Sequence, residues 1–237
     1  MQNMKLSEKN LRNLIREVLL SEKISMDILQ NVNPLAYLLG NDWGDDYDEE
    51  SESYIDFSPS SHVDTNHAAR ATELSQATGI KPSVIYAIEK KESAHRPSAF
   101  AFNPRLYRKY ADDNTFYPGV NSVYGKEAQR AFKEAYAMNP SAAIMAGAWG
   151  LYQVLGATSL RLYGNDAERF IAAFKDNPVE HSKKSFIAWV EKRGQSFVDL
   201  TNDNKHASWV SMYYGAPKSG YINDIKKFQS EWESGTA

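Results

Sequence analysis

The Pro and Gly residues that separate helical runs are the feature that most constrains the fold of this chain. From residue 67 onward, apolar residues recur at three- and four-residue spacing, and Pro or Gly stands between one run and the next. No series of alternating strand patterns and no repeat of fixed period is evident. We therefore expect a mainly α fold, with helices near residues 66–77, 82–93, 124–138, 141–146, 152–162, 166–175, 178–193, 203–214 and 219–232.

Residues 1–66 differ from the rest of the sequence in charge. They contain five Lys or Arg and thirteen Asp or Glu, a net charge of −8, whereas residues 67–237 carry a net charge of +5. Residues 42–56 alone hold eight acids and no base, a composition typical of a solvated linker. The sequence thus predicts an N-terminal helical arm over 1–40, an acidic linker over 41–66 and a helical domain over 67–237.

Within the arm, residues 4–22 have the pattern of an amphipathic helix, and a second apolar stretch over 28–39 is interrupted by Pro34. A single helix of this length is marginal in water unless its apolar face is covered. The arm is therefore expected either to pack on the domain or to dock on a partner protein.

The sequence contains no cysteine, so no disulfide, thiolate metal site or cysteine nucleophile is available. No apolar run reaches the length of a membrane span, and no signal peptide is visible. We expect synthesis in the cytoplasm and access to any external target by another route.

The helix predicted over residues 82–93 carries two glutamates at different angular positions. Pro82 suits the first turn, and at 100° per residue Glu92 falls inside the apolar arc while Glu89 falls on its flank. The apolar arc is formed by Val84, Ile85 and Ile88, and the side chains expected to point away from it are Lys90 and Lys91.

Glu92 is thus the carboxyl group that this helix is expected to direct inward, at its C-terminal end. Burial and the negative end of the helix dipole would both raise its pKa. An acid that stays protonated near neutral pH is what cleavage of a glycosidic bond requires. The alternative is an ordinary glutamate that reaches solvent or pairs with a lysine.

Two later segments of the sequence contain further candidate site residues. Residues 147–154 read Gly-Ala-Trp-Gly-Leu-Tyr-Gln-Val, in which two glycines permit close backbone approach around a tryptophan. Residues 209–217 read Trp-Val-Ser-Met-Tyr-Tyr-Gly-Ala-Pro, an aromatic helix end followed by a turn. In isolation, each segment is an ordinary turn beside a core helix.

Taken in order, the three segments resemble a known family pattern. Glu92-Ser93 resembles the Glu-Ser motif of goose-type lysozymes and lytic transglycosylases, residues 150–153 resemble their Gly-Leu-Met-Gln motif, and residues 212–217 resemble their Ala-Tyr-Asn-Ala-Gly-Pro segment. The sequence is most similar to the N-acetylmuramidase family of phage endolysins and virion-associated murein-degrading proteins. This resemblance covers roughly residues 75–232 and implies a lysozyme-like helical domain.

The resemblance also implies the roles of particular residues. Glu92 would be the general acid and base, Gln153 and the backbone near Gly150 would contact the sugar, and Tyr213 would hold the geometry of the acid. The complete set of implied substrate-binding residues is Ser93, Gly150, Leu151, Tyr152, Gln153, Tyr213 and Tyr214.

Three departures from the family pattern bear on mechanism. Asn103 stands where relatives often have Glu, Tyr214 replaces the family's Asn, and Ala148 stands where Ser is frequent. Asp199 and Asp203 are possible partners of Glu92, although nothing in their spacing marks them. One acid without a marked partner favours a lytic transglycosylase or a hydrolase that works with a single glutamate.

The implied substrate is the β-1,4 MurNAc-GlcNAc bond of peptidoglycan, without a cofactor. The N-terminal helix resembles the first segment of many marine phage proteins, which suggests a phage virion, in its tail or baseplate, or a lysis protein held in the host cytoplasm. An inactive lysozyme-like virion component is the main alternative. A nucleic-acid binder and a metal site are less favoured, because the basic residues are scattered and the five histidines show no paired spacing.

Overall fold

A computed structural model describes residues 65–215 and 219–236, and the predicted arm and nearly all of the predicted linker lie outside these residues. The described chain is mainly helical with one small sheet, which confirms the predicted fold class. Its elements, in chain order, are α1 (His67–Thr78), α2 (Pro82–Ser93), β1 (Phe100–Phe102), α3 (Pro104–Ala111), α4 (Gly125–Met138), α5 (Pro140–Ala146), β2 (Gly147–Trp149), β3 (Val154–Leu155), α6 (Gly156–Ser159), a 3₁₀ turn (Leu160–Tyr163), α7 (Ala167–Asp176), α8 (Pro178–Arg193), α9 (Gln195–Asn202), α10 (His206–Tyr214) and α11 (Ser219–Glu233).

Helix α2 lies at the centre of the molecule. It begins with Pro82 at its first turn and ends at Ala94, whose left-handed backbone (φ 51°) directs its N–H to the carbonyl of Lys90. Ten of its twelve residues are buried, because α1 and α11 both pack against it. Lys91, expected to point away from the core, is instead buried and forms an ion pair with Asp224 of α11.

The sheet is antiparallel and lies beside the end of α2. Strand β2 is its centre, with Phe100 of β1 opposite Trp149 and Leu155 of β3 opposite Ala148. The strands have three, three and two residues, which is too short for an alternating pattern to be recognised in the sequence.

Two hydrophobic clusters form the core. The first surrounds α2 and draws on α1 and α8–α11, together with Leu151, Tyr152 and Val154. The second joins β1, α3–α5, α7 and the Trp149 ring. Because the two clusters are contributed by different helices, a cleft can lie where they meet.

Several predicted elements need correction. The helix predicted over 152–162 is a turn, the strand β3, the short helix α6 and a 3₁₀ turn. The helix predicted over 203–214 begins at residue 206, and α9 precedes it as a separate helix. Helix α3 was not predicted, although Asn103 caps it and Pro104 opens it, because its eight residues give too short a periodic pattern.

No helix in the described part of the chain is long and apolar enough to cross a membrane.

Candidate active site

A cleft of about 300 Å³ lies where the two hydrophobic clusters meet. Phe102, Leu106 and Ala146 of the second cluster face Val154, Trp189 and Tyr214 of the first across it. Glu92, Gln153 and Tyr213 also line this cleft, so it contains four of the eight predicted site residues.

Glu92 is the acid of the cleft, and no other Asp or Glu is among its lining residues. The side chain lies in the last turn of α2 and is only 3% exposed. Burial raises the pKa of Glu92 to about 7, although a hydrogen bond from Tyr221 and the charge of Lys91 act in the opposite direction. A large fraction of this group is therefore protonated at neutral pH.

Tyr221 of α11 is the direct hydrogen-bond partner of Glu92, and no sequence motif indicated this contact. Its hydroxyl donates to Glu92 Oε1 at 2.5 Å, and its ring packs at a tilt against Tyr214 with centroids 4.7 Å apart. The only available signal was a tyrosine on a predicted helix, because the contact joins residues 129 positions apart.

Tyr213 lines the same cleft as Glu92. Burial, followed by the charge of Glu92, raises the pKa of its hydroxyl well above the ordinary value, so the phenol stays protonated. The hydroxyl does not donate to Glu92 but to the backbone carbonyl of Tyr152. Tyr213 therefore connects the wall of the cleft to the turn that carries Gln153.

Gln153 stands in the turn between β2 and β3, not on a helix. Its backbone is left-handed (φ 46°), and its amide nitrogen donates to the carbonyls of Ala99 and Gly150, at 3.1 and 2.9 Å. Gly150 is required here, because its φ is 70° and a Cβ would lie 2.0 Å from Ser182 Oγ. Because the amide nitrogen donates to these two carbonyls, the amide oxygen is the group of Gln153 that can accept a hydrogen bond, and the residue lines the cleft.

The other predicted substrate-binding residues lie behind the cleft and do not line it. Ser93 is fully buried and donates to the carbonyl of Glu89, Leu151 is part of the first cluster, and Tyr152 donates to Glu89 Oε2 at 2.8 Å. Gly150 shapes the turn through its backbone. The side chains of Ser93, Leu151 and Tyr152 thus pack behind the cleft, and the contacts of these residues and of the Gly150 backbone with a sugar stay predictions.

Glu89 is the centre of a buried polar network beneath the cleft. It is fully buried and accepts hydrogen bonds from Arg70 at 2.9 and 2.5 Å and from Tyr152, with His95 Nδ1 2.8 Å away. Burial alone would raise the pKa of Glu89, but its hydrogen bonds to His95 and Arg70 and their charges lower it below the ordinary value. Glu89 thus remains an anion, whereas Glu92, three residues later, is protonated in a large fraction of molecules at neutral pH.

The three departures from the family pattern all line the cleft, and the third of them, Ala148, lies in β2. Asn103 is buried, lines the cleft and caps α3 through a bond from Leu106 N to its side-chain oxygen at 2.9 Å. Tyr214 fills the cleft wall against Tyr221. Asp199 and Asp203, considered as partners of Glu92, are exposed on the far end of α9 and do not line the cleft.

Over residues 65–215 and 219–236, no three His, Asp or Glu side chains are grouped so that they could share a metal ion.

A mostly helical, lysozyme-like fold with one buried acid in a cleft between two clusters defines the class of this protein. The sequence profile of the N-acetylmuramidase family matches residues 35–231, and the chain belongs to this family. Among solved structures, the fold is similar to the crystal structure of a Burkholderia AP3 phage endolysin, with a TM-score of 0.60, 16% sequence identity and 75% of each chain covered. No curated protein sequence gives a significant match.

Proposed function

We propose that this protein cleaves the β-1,4 bond between MurNAc and GlcNAc in peptidoglycan, with Glu92 as the catalytic acid. The observation that carries this proposal is the buried carboxyl group with a pKa of about 7 in the wall of a cleft. Membership of the N-acetylmuramidase family supports the choice of substrate.

In the first step, protonated Glu92 gives its proton to the glycosidic oxygen, and the C1–O bond breaks as the leaving sugar takes both bonding electrons. Positive charge then develops at C1 of the muramic acid residue. Loss of the proton leaves Glu92 as a carboxylate. The Tyr221 hydroxyl, 2.5 Å away, stabilises this carboxylate by donating a hydrogen bond to it. The same tyrosine therefore has its largest effect once the proton has left.

In the second step, an oxygen nucleophile closes on C1 and returns its proton to Glu92. A hydrolase usually has a second carboxylate for this step, but Glu92 is the one acid among the lining residues of this cleft. We infer that the muramic 6-hydroxyl attacks C1 and gives a 1,6-anhydro product. Hydrolysis assisted by Glu92 alone is the competing outcome.

Three further cleft residues are proposed to contact the sugar chain. The amide oxygen of Gln153 would accept from a sugar hydroxyl or amide, and Tyr213 and Tyr214 would supply aromatic and polar surface next to Glu92. The N-terminal arm, outside the described residues, is proposed to attach the protein to a phage tail or baseplate. Proteomic analysis of purified phage particles would contradict this attachment if the protein were absent.

The test of the proposed function is the loss of turbidity of purified murein sacculi. Glu92→Gln is expected to lower the rate at least about 100-fold, because general acid catalysis contributes about 10²–10⁴. Glu134→Gln, the same change on the exposed face of α4, is expected to keep full activity. Equal activity of the two variants would refute the role of Glu92.

Mass spectrometry of the soluble fragments then separates the two products. Muramic acid ends in the 1,6-anhydro form support intramolecular closure. Reducing muramic acid as the sole end group would show that the enzyme is a hydrolase.

A further inference from the structure

Two basic residues stand at the end of α8, on the edge of the cleft. Lys192 and Arg193 both line the cleft, and both residues are exposed. Neither forms an ion pair with an Asp or Glu of the described chain. Basic residues in a last helical turn interact favourably with the helix dipole, but this does not require them to face the cleft.

Arg193 is held in place by aromatic contacts that lead to the acid. Its guanidinium carbon lies 5.0 Å from the centre of the Trp189 ring, and Trp189 packs edge-on against Tyr213 with centroids 4.8 Å apart. Phe197 supports Trp189 from a second side at 4.9 Å. Tyr213 lines the cleft with Glu92, so two ring contacts connect Arg193 to the surroundings of the acid, in a position that the cation–π contact restricts.

The charges in the cleft favour an anion at this position. Lys192 and Arg193 are the cationic groups among the lining residues, and Glu92 is neutral in the form that donates a proton. The remaining lining residues carry no charge. A cleft with fixed positive charge on low-dielectric walls attracts carboxylates, and an arginine binds them with two parallel hydrogen bonds.

We propose that Arg193, assisted by Lys192, binds a carboxylate that belongs to the muramic acid residue of the substrate. This inference rests on the proposed function and names the substrate feature that the cleft selects. The carboxylate has two sources: the lactyl group in strands without peptide, and the stem peptide in strands that carry one, where the lactyl group is an amide. Neutral chitin oligosaccharides have neither and serve as the reference ligand.

The experiment measures dissociation constants by calorimetry in the Glu92→Gln background, so that the ligands are not cleaved. The three probes are chitohexaose, peptide-free glycan fragments and peptide-bearing glycan fragments. Arg193→Gln is expected to raise the dissociation constant of at least one anionic probe about three- to tenfold and to change that of chitohexaose less than about twofold. Arg193→Lys keeps the charge and is expected to restore part of the affinity. The anionic probe that loses affinity identifies the source of the carboxylate.

Lys226→Gln is the control, because it removes the same charge from an exposed position of α11 outside the cleft. Unchanged affinity of Arg193→Gln for both anionic probes would overturn the proposal. An equal loss for chitohexaose would also overturn it, since Arg193 would then act only through its packing on Trp189. Neither result touches the proposed function, which fails on a different observation, namely full activity of Glu92→Gln on sacculi.

Discussion

Glu92 and Glu89 show how strongly the surroundings of a single residue determine its chemistry. Both side chains are buried on the same helix. Glu89 nevertheless stays an anion, because Arg70 and His95 form hydrogen bonds with its carboxylate. Glu92 accepts one hydrogen bond, from the Tyr221 hydroxyl, and its pKa rises to about 7 because the effect of burial outweighs that of this bond. The difference in partners separates a structural carboxylate from a proton donor.

The pH dependence of catalysis follows from this pKa. Because Glu92 must be protonated to act, kcat/KM is expected to fall as the pH rises through about 7. The Tyr221 hydroxyl stabilises the carboxylate, so Tyr221→Phe is expected to move this fall upward by about one pH unit and to lower the maximal rate. Tyr163→Phe, which removes a hydroxyl that contacts His181, serves as the control and should leave the profile unchanged. An unshifted profile in Tyr221→Phe would contradict the assigned contact.

At the scale of the element, α2 carries two acids with opposite effects on stability. The pKa of Glu92 is raised in the folded protein, so its ionisation adds no cost below the unfolded pKa of about 4.5, destabilises the fold progressively as the pH rises to about 7, and adds a constant cost above that. The pKa of Glu89 is lowered, so its interactions stabilise the fold above the unfolded pKa and are lost as the pH falls through the folded one. At neutral pH, Glu92 thus lowers the stability of the fold and Glu89 raises it.

Denaturant unfolding of two variants tests this opposition. Glu92→Gln is expected to raise the free energy of unfolding by about 3 kcal/mol at pH 8 and by little at pH 4, since a shift of one pKa unit corresponds to about 1.4 kcal/mol. Glu89→Gln is expected to lower it by about 3 kcal/mol at pH 7, because Arg70 is left buried without its anion. The interpretation would be wrong if both variants changed stability in the same direction at pH 8.

The sequence predicted α2 to the residue, since Pro82 and the apolar spacing are local signals. It placed Glu92 inside the apolar arc, but it could not show that Glu89 and Lys91 are buried as well. Those side chains are covered by α1 and α11, which lie far away in the sequence. The positions of Tyr221 and Arg193 in the site depend on the same long-range packing, so motifs alone did not identify them.

The elements that depend on backbone conformation and on long-range strand pairing were the hardest to predict from the sequence. Residues 152–162 have an apolar pattern compatible with a helix, yet Gln153 takes a left-handed conformation and β3 pairs with β2. This turn is stabilised by bonds to Ala99 and Gly150 that no local pattern reveals. The Gly residues around Trp149 were the one sequence signal of close packing there, and the structure confirms it at Gly150.

At the scale of the whole molecule, the cleft lies between two hydrophobic clusters that different helices contribute. Trp189 and Tyr213 of the first cluster line it beside Glu92, and Phe102 of the second cluster lines it beside Asn103. A glycan strand in the cleft would contact both clusters at once. Binding should therefore stabilise the folded protein as a unit.

Thermal unfolding of Glu92→Gln with peptide-free glycan fragments measures this effect. At a ligand concentration ten times the dissociation constant, binding adds about 1.4 kcal/mol, which corresponds to an increase in Tm of about 4 °C for a domain of this size. Maltohexaose, a neutral glucan of similar length, should give no increase. Separate transitions, of which the glycan moves only one, would show that the clusters unfold independently.

The contact between Glu92 and Tyr221 can form only late in the synthesis of the chain. The ribosome adds 128 residues between the acid and the tyrosine that donates to it. A growing chain that has reached the cleft motif at Gly150 still lacks both Tyr213 and α11. The acid therefore acquires its complete environment, and with it the full protonation behaviour described above, only after α11 has folded onto α2.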